Sequence, residues 1–138
     1  TPKILRYATQ AEKDSMFNTP NTFGIWVVGL VAEWVEANGG LTAMAEVNGR
    51  KANMLYDLID SDPRFSGHAI EHSRSHMNVT FRMESETQEK ALLSAAADAN
   101  ILGIRGHRSV GGLRASIYNA VSEDTVRYLR DFLHTTRV

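Results

Sequence analysis

The sequence predicts an α+β fold in which a layer of helices packs on a small, mostly antiparallel sheet. Four segments repeat apolar residues at the helical spacing, and three shorter segments have the patterns of strands. Their order along the chain is α-α-β-α-β-β-α, which is typical of this fold class. With 138 residues, the chain is long enough to bury one substantial core.

The first forty residues predict an irregular lead-in followed by a helix. Residues 1–17 show no sustained period and are expected to be extended or irregular. Thr19 and Pro20 predict a helix start, because threonine caps helices well and proline costs nothing at the first helical position. The helix is predicted over 23–37, before the Asn-Gly-Gly of 38–40. Because it is apolar around almost its whole circumference, we expect other layers to pack on it.

A second helix is predicted from Thr42 to Asp60, where Asp62-Pro63 breaks the pattern. The residues of its inner stripe are Met44, Val47, Leu55, Leu58 and Ile59. Residues 63–75 are predicted to be a loop or a weak helix. The stretch from Met77 to Met83 alternates apolar and polar side chains, which predicts a half-buried strand.

The rest of the chain predicts a helix, two short strands and a final helix. Ser85 and Gln88 fit a capping box that opens a helix over 86–99. Short strands are predicted over 101–105 and 113–118. Ser122 can cap the last helix, whose acidic first turn and basic last turn complement the helix dipole. The core stripe of that helix consists of Val126, Leu129 and Leu133.

Composition excludes several classes of protein. Fifteen Lys and Arg against sixteen Asp and Glu give a net charge of −1, so no bulk attraction to nucleic acid or to a membrane surface is expected. The absence of cysteine excludes disulfides, thiol nucleophiles and cysteine-ligated metals, and fits a reducing, cytoplasmic location. The most apolar stretch, 23–32, is too short to span a bilayer. Because the chain starts without methionine, we expect a piece of a longer protein.

The most informative segment is a glycine-rich stretch over 106–114. No acidic residue occurs over 100–122, although three arginines and a histidine do. These basic residues are Arg105, His107, Arg108 and Arg114. Arginine forks match carboxylates and phosphates, and glycines let backbone N–H groups approach an anion. The alternative is a solvated hairpin turn in which Gly111 and Gly112 supply positive φ angles.

Two other patterns also have alternative explanations. The segment 18–20 precedes a helix, and the N–H groups at a helix start suit a phosphate, although simple capping explains the same residues. His68, His72 and His76 are spaced at i, i+4 and i+8, which on one continuous helix would suit zinc or nickel. Helix-breaking residues precede them and no H-E-x-x-H motif is present, so we expect no metal site.

Four motifs occur in the order in which a known enzyme family has them. They are Ser15–Pro20 (SMFNTP), Trp34–Gly40 (WVEANGG), Ser75–Phe81 (SHMNVTF) and Gly106–Asn119 (GHRSVGGLRASIYN). They resemble the phosphoserine aminotransferases, over nearly all of this chain but only the C-terminal part of that family's chain. The resemblance implies the C-terminal domain of a fold-type-I aminotransferase that depends on pyridoxal 5′-phosphate (PLP). It further implies that residues 1–19 lead in from a large domain and that residues 20–138 form the small domain.

The resemblance also implies an activity and a set of site residues. The family transfers an amino group between glutamate and 3-phosphohydroxypyruvate, giving phosphoserine and 2-oxoglutarate in serine biosynthesis, and in many bacteria it serves pyridoxine biosynthesis as well. It works as a homodimer, in which Asn18 and Thr19 would contact the PLP phosphate of the neighbouring subunit. His107 and Arg108 would hold the substrate phosphate, and Arg114 the α-carboxylate. Separate cationic clamps at a fixed distance would select phosphorylated substrates.

Two departures from the family pattern are visible. Asn21 stands where the family often repeats a proline. In addition, PLP chemistry needs a lysine in the cofactor pocket, whereas the lysines of this chain lie outside the four motifs. They are Lys3, Lys13, Lys51 and Lys90. In the family the required lysine comes just before the segment where this chain begins. We therefore expect no catalytic residue here, and no transamination by this chain alone.

Two other functions remain open from the sequence. A stand-alone α+β module would bind a small phosphorylated metabolite through Arg108 and Arg114 without catalysis. An interaction domain would dimerise through the apolar helix and bind no ligand. Without a large domain, we expect the side formed by Phe23, Trp26 and Val27 to be exposed and the chain to self-associate.

Overall fold

The structure is a computed structural model that describes all 138 residues and divides into two compact units, Thr1–Gly40 and Leu41–Val138. The predicted division after residue 19 concerns the domains of a longer protein and stays a prediction. The helices and strands, in chain order, are α1 (Tyr7–Ala11), α2 (Thr22–Ala37), α3 (Gly40–Ser61), β1 (Phe65–Gly67), β2 (Asn78–Met83), α4 (Glu86–Asp98), β3 (Leu113–Ser116) and α5 (Glu123–Thr135).

The start of α2 lies later than the sequence predicts. The cap is Asn21, whose Oδ1 accepts a hydrogen bond of 3.0 Å from the N–H of Gly24. Thr19 and Pro20 therefore precede the helix, and their predicted capping role is wrong. A side chain at position 24 would meet the Asn21 amide at 2.5 Å, so glycine there leaves room for the cap. The lead-in also holds α1 and a 3-10 turn where an irregular segment is predicted.

Helix α2 is mostly exposed. None of its residues is buried, and Phe23 and Trp26 expose 70% and 60% of their surfaces. The predicted exposure of this side is confirmed, and the layers expected to cover the helix are not supplied within its own unit. Its predicted end is also confirmed, with Asn38 as the C-cap and Gly39 at a φ of +92°. No helix of the chain has both the length and the apolar character that a membrane span requires.

The second unit contains a three-stranded antiparallel sheet in the order β1-β2-β3, which confirms the α+β prediction. Two details of the prediction are wrong. The first strand, β1, lies in the segment predicted as a loop or weak helix, and three residues are too few to give a readable pattern. The strand predicted over 101–105 contributes only one isolated bridge, between Arg105 and Leu113. Gly103 has a φ of +77°, which interrupts extended backbone at that point.

The core lies on one face of this sheet and includes residues of α3, α4 and α5. Along β2 the side chains of Val79, Phe81 and Met83 are buried, and the intervening side chains are half-buried, as the alternation predicts. The predicted capping box of α4 and the predicted cap of α5 are both present. Other core residues are Leu55, Leu58, Ile59, Leu92, Leu113, Val126, Leu129 and Leu133. Met44 and Val47, also predicted for the stripe of α3, are only half-buried.

A buried lysine fixes the connection between β3 and α5. Lys51 of α3 is fully buried, and its ammonium donates hydrogen bonds of 3.1, 2.8 and 3.0 Å to the carbonyls of Ile117, Tyr118 and Val121. Desolvation by burial lowers the pKa of Lys51 below its ordinary value. Because three carbonyls of one short segment share this donor group, the position of that segment depends on Lys51.

Candidate anion-binding site

The predicted site is built around a tight loop over 106–112. The N–H of Gly106 donates to the carbonyl of Gly112 at 2.8 Å, and the N–H groups of Val110 and Gly111 donate to the carbonyl of His107 at 2.9 and 2.8 Å. Gly111 and Gly112 have φ angles of +76° and +69°, a region that favours glycine. A Cβ on Gly106 would lie 2.1 Å from the carbonyl oxygen of Gly111. The turn interpretation is therefore correct for the backbone, and it is compatible with an anion site.

A cleft of about 180 Å³ lies between this loop and strand β2. Four basic side chains help to line it: His68, Arg82, His107 and Arg114. The two arginines reach it from the half-buried face of the sheet, because Thr80 pairs with Arg114 in the antiparallel register and Arg82 lies two residues further along β2. No carboxylate is among the lining residues. The cleft therefore concentrates positive charge in a protein that is nearly neutral as a whole.

Arg114 lines this cleft without a protein partner. Its Nε is buried and has no hydrogen-bond partner, and none of the ion pairs in the protein includes this residue. A buried donor without an acceptor costs free energy. An anion that accepted from the Arg114 guanidinium would remove this cost, so the residue is suited to bind a ligand.

His107 and Arg108 take different positions in the loop. His107 lines the cleft, and its Nδ1 lies 2.7 Å from Ser109 Oγ and accepts a hydrogen bond of 3.3 Å from the Ser109 N–H. With Nδ1 as the acceptor, Nε2 carries the ring proton and can donate to a ligand. The exposed Arg108 is outside the lining of the cleft. The structure thus brings His107 and Arg114 to one cleft and leaves Arg108 on the neighbouring loop surface.

The other candidate residues lie elsewhere. Asn18 and Thr19 are exposed residues of the first unit, in the segment that precedes the Asn21 cap. Their predicted contact with a cofactor phosphate stays a prediction. His68 follows β1, His72 lies in a 3-10 turn and His76 precedes β2, so the three histidines share no helix. No group of three or more potential metal ligands comes together in the chain.

Sequence reasoning missed Arg82 and His68 as residues of the cleft. The alternation of β2 places Arg82 on the polar face of its strand, which was readable from the sequence. The register that sets Thr80 opposite Arg114 was not readable, because it depends on which strands pair. His68 reaches the cleft because its backbone N–H continues the pairing of β1 onto Thr80, at 3.2 Å.

Comparisons with known proteins agree with these features. The aminotransferase class-V family model matches residues 1–129. Phosphoserine aminotransferases of Lysinibacillus sphaericus and Herpetosiphon aurantiacus are 50% and 49% identical to the chain, over 96% of its length and 37% of theirs. The solved phosphoserine aminotransferase of Bacillus circulans subsp. alkalophilus has a TM-score of 0.89 at 44% identity, covering 97% of this chain and 37% of that one.

A further solved structure is that of a relative with bound PLP. The PLP-bound phosphoserine aminotransferase of Trichomonas vaginalis has a TM-score of 0.86 at 33% identity, covering 97% of this chain and 39% of that one. The chain thus spans little more than a third of the length of the relatives it matches. The predicted resemblance and the predicted fold class are confirmed. Since the family model matches nearly all of the sequence, the chain belongs to the aminotransferase class-V family.

Proposed function

We propose that the chain is the substrate-binding, C-terminal part of a phosphoserine aminotransferase. The whole enzyme would transfer an amino group between glutamate and 3-phosphohydroxypyruvate, giving phosphoserine and 2-oxoglutarate in serine biosynthesis. The observation that carries the proposal is the cationic cleft, in which His107 and Arg114 face a common space without a carboxylate and Arg114 Nε is buried and unpaired. The names of the relatives support the same substrate class.

The proposed roles come from the family resemblance, and the chemistry of the two side chains supports them. The Arg114 guanidinium would bind the planar α-carboxylate, to which it can donate two parallel hydrogen bonds. His107 would donate from Nε2 to the phosphate, and the exposed Arg108 side chain would bind the same phosphate from the loop. A substrate without a phosphate would leave these donors unpaired, which is the physical basis for selecting phosphorylated substrates.

The residues of this chain fit PLP only in part. When bound, PLP supplies the carbonyl chemistry that carries an amino group from one substrate to the other. The side chains of Asn18 and Thr19 are exposed donors suited to its phosphate. No lysine of this chain is suited to bond to PLP. The Lys51 ammonium already donates to three carbonyls, and the other lysines do not line the cleft. We therefore propose that this chain alone does not catalyse transamination.

The proposal has three further parts. The whole protein would be a homodimer, and the exposed apolar surface of α2 supports an interface that involves this helix. It would act in the cytoplasm, which the lack of cysteine favours. It would also serve pyridoxine biosynthesis, by acting on a phosphorylated analogue related to threonine.

Calorimetric titration of the chain tests the proposal. O-phospho-L-serine should release heat of binding, whereas L-serine at the same concentration should not, because only the first ligand has both anionic groups. The Arg114→Ala variant should lose most of the phosphoserine signal while remaining folded. Absence of phosphoserine binding by the unaltered chain would contradict the proposal and favour an interaction domain. A stand-alone module would also bind, and a reading frame upstream of Thr1 that encodes a lysine-bearing domain would exclude that alternative.

A further inference from the structure

Arg82 lies directly beneath the loop that carries His107. Its Nη2 donates a hydrogen bond to the carbonyl of Val110. Its side chain also runs under the two glycines, since a Cβ on Gly112 would lie 3.1 Å from Arg82 Cγ and a Cβ on Gly111 would lie 3.8 Å from Arg82 Nη1. The Arg82 side chain is therefore packed against Gly111 and Gly112, where the loop has no side chains.

No other side chain outside the loop forms a hydrogen bond with residues 106–112. The remaining hydrogen bonds of residues 106–112 run within the loop itself, from Gly106 to Gly112 and from Val110 and Gly111 to His107, or between His107 and Ser109. These internal bonds define the shape of the loop, and the bond from Gly106 to Gly112 flanks the Arg105–Leu113 bridge that attaches the base of the loop to β3. None of them connects the tip of the loop to β2. The bond from Arg82 to Val110 connects the loop to β2, the central strand.

Arg82 also has no carboxylate to neutralise it. It takes part in none of the ion pairs, and the cleft that it lines with Arg114 has no acidic residue. A structural arginine with a carboxylate partner would give a neutral floor to the cleft. Arg82 instead combines a structural bond with an uncompensated charge, which suits the floor of an anion site.

We propose that Arg82 is a positioning residue for the anion site, holding the loop 106–112 in the orientation that keeps His107 beside Arg114. It would act through its hydrogen bond to Val110 and its packing under Gly111 and Gly112. The part of this inference that concerns the ligand rests on the proposed function. The part that concerns the loop does not, because it can be measured without any ligand.

Hydrogen–deuterium exchange of the full chain tests the loop directly. Arg82→Met keeps the aliphatic stem under Gly112 and removes the guanidinium. It should accelerate exchange in the loop by about tenfold and leave β2, β3 and α4 unchanged, because only the external anchor is lost. Arg82→Lys keeps the charge and one donor, and should show a smaller acceleration, about threefold. The matched control is Arg105→Met, which removes an equal charge from an exposed side chain without a hydrogen bond, and should leave loop exchange unchanged.

Phosphoserine titration of the same variants measures the consequence for binding. Arg82→Met should weaken binding by about fivefold or more, and Arg82→Lys should recover part of the loss, since the anchor bond is partly restored. Equal loop exchange in the wild type and in Arg82→Met would overturn the inference, whatever the binding result. If Arg82→Met unfolds, Arg82→Lys decides, and no loop acceleration in that variant would equally overturn it. If the wild-type chain does not bind phosphoserine, that result would contradict the proposed function but not the role of Arg82 in holding the loop.

Discussion

Two arginines of the second unit, Arg64 and Arg114, are both partly buried and have opposite surroundings. The Arg64 side chain donates to both carboxylate oxygens of Asp62 and to three backbone carbonyls near the end of α5. These carbonyls belong to Leu133, His134 and Thr136. The Arg114 side chain donates to no protein group, and its Nε is buried. Arg64 is therefore held by its protein partners, whereas Arg114, which has no partner and lines the cleft, is available to a ligand.

Arg74 and Arg82 differ in whether a carboxylate accompanies the guanidinium, although Arg74 Nε is buried without a partner, as Arg114 Nε is. Arg74 forks onto Asp60 at 2.6 and 2.7 Å and lies over the ring of Tyr56, with 4.6 Å between the guanidinium carbon and the ring centroid. Arg82, two residues along β2 from the Thr80 that pairs with Arg114, donates only to the carbonyl of Val110. Carboxylates thus accompany the arginines near the end of α3, and none accompanies those of the cleft.

The largest expected effect is on Lys51, whose ammonium donates all three of its hydrogen bonds to backbone carbonyls. Lys51→Met keeps the length of the buried side chain and removes the donor of three carbonyl hydrogen bonds. We expect the free energy of unfolding to fall by about 3–4 kcal/mol, because the carbonyls of Ile117 and Val121 would lose this donor and that of Tyr118 would keep only the N–H of Val121. Urea unfolding measures this change. Lys90→Met is the matched control, because Lys90 is exposed and its single ion pair, with Glu86, is long at 3.8 Å. This variant should change the free energy of unfolding by less than about 0.5 kcal/mol. Equal effects in the two variants would contradict the structural role of Lys51.

The next largest effect is an opposite pattern in two variants: Arg64→Ala should lose stability and keep ligand binding, and Arg114→Ala should lose ligand binding and keep stability. Arg64→Ala should lower the free energy of unfolding by about 2–3 kcal/mol and leave phosphoserine binding unchanged, because its bonds all lie away from the cleft. Arg114→Ala should change stability by less than about 0.5 kcal/mol, since it breaks no hydrogen bond, and weaken binding by about tenfold or more. Urea unfolding and calorimetry on both variants measure the two quantities. A stability loss in Arg114→Ala as large as that in Arg64→Ala would remove the distinction.

The sequence predicted those features of the fold that depend on residues close together along the chain. Local signals were reliable: the capping box at Ser85 and Gln88, the alternation of β2 and the glycine end of α2 were all confirmed. Each of these depends on residues within a few positions of one another. The cap of α2 was misplaced because Thr19-Pro20 and Asn21 are competing signals, and only the bond to Gly24 selects between them.

The candidate site shows where sequence reasoning stops. The acid-free basic segment singled out four residues: Arg105, His107, Arg108 and Arg114. His107 and Arg114 share a cleft, which Arg105 and Arg108 do not line. Arg82 could not be assigned to that cleft, because its position depends on the pairing of β2 with β3 and on a loop folded back over the strand. Pairing register is a property of two distant segments, so no local pattern encodes it.

The smallest expected effect concerns how the Asp62–Arg64 ion pair makes the free energy of unfolding depend on pH. The hydrogen bonds from Arg64 hold the pKa of Asp62 at about 2, below its ordinary value of 3.8. Because the folded pKa is the lower one, the stabilisation is fully present above 3.8 and is lost as the pH falls towards 2. The loss amounts to about 1–2 kcal/mol for this partly solvated pair. No carboxylate lines the cleft, so its arginines contribute nothing to this acid window.

Urea unfolding at about pH 5 and about pH 2.5 tests this difference. Asp62→Asn should lower stability at the higher pH and should reduce the loss between the two pH values, because its amide does not titrate. The matched control is Asp98→Asn at the exposed end of α4, which has no ion pair and should retain the wild-type loss. If Asp62→Asn kept the full wild-type acid loss, Arg64 would not be stabilised by a charged partner. The contrast between Arg64 and Arg114 would then have to rest on the carbonyl hydrogen bonds of Arg64 alone.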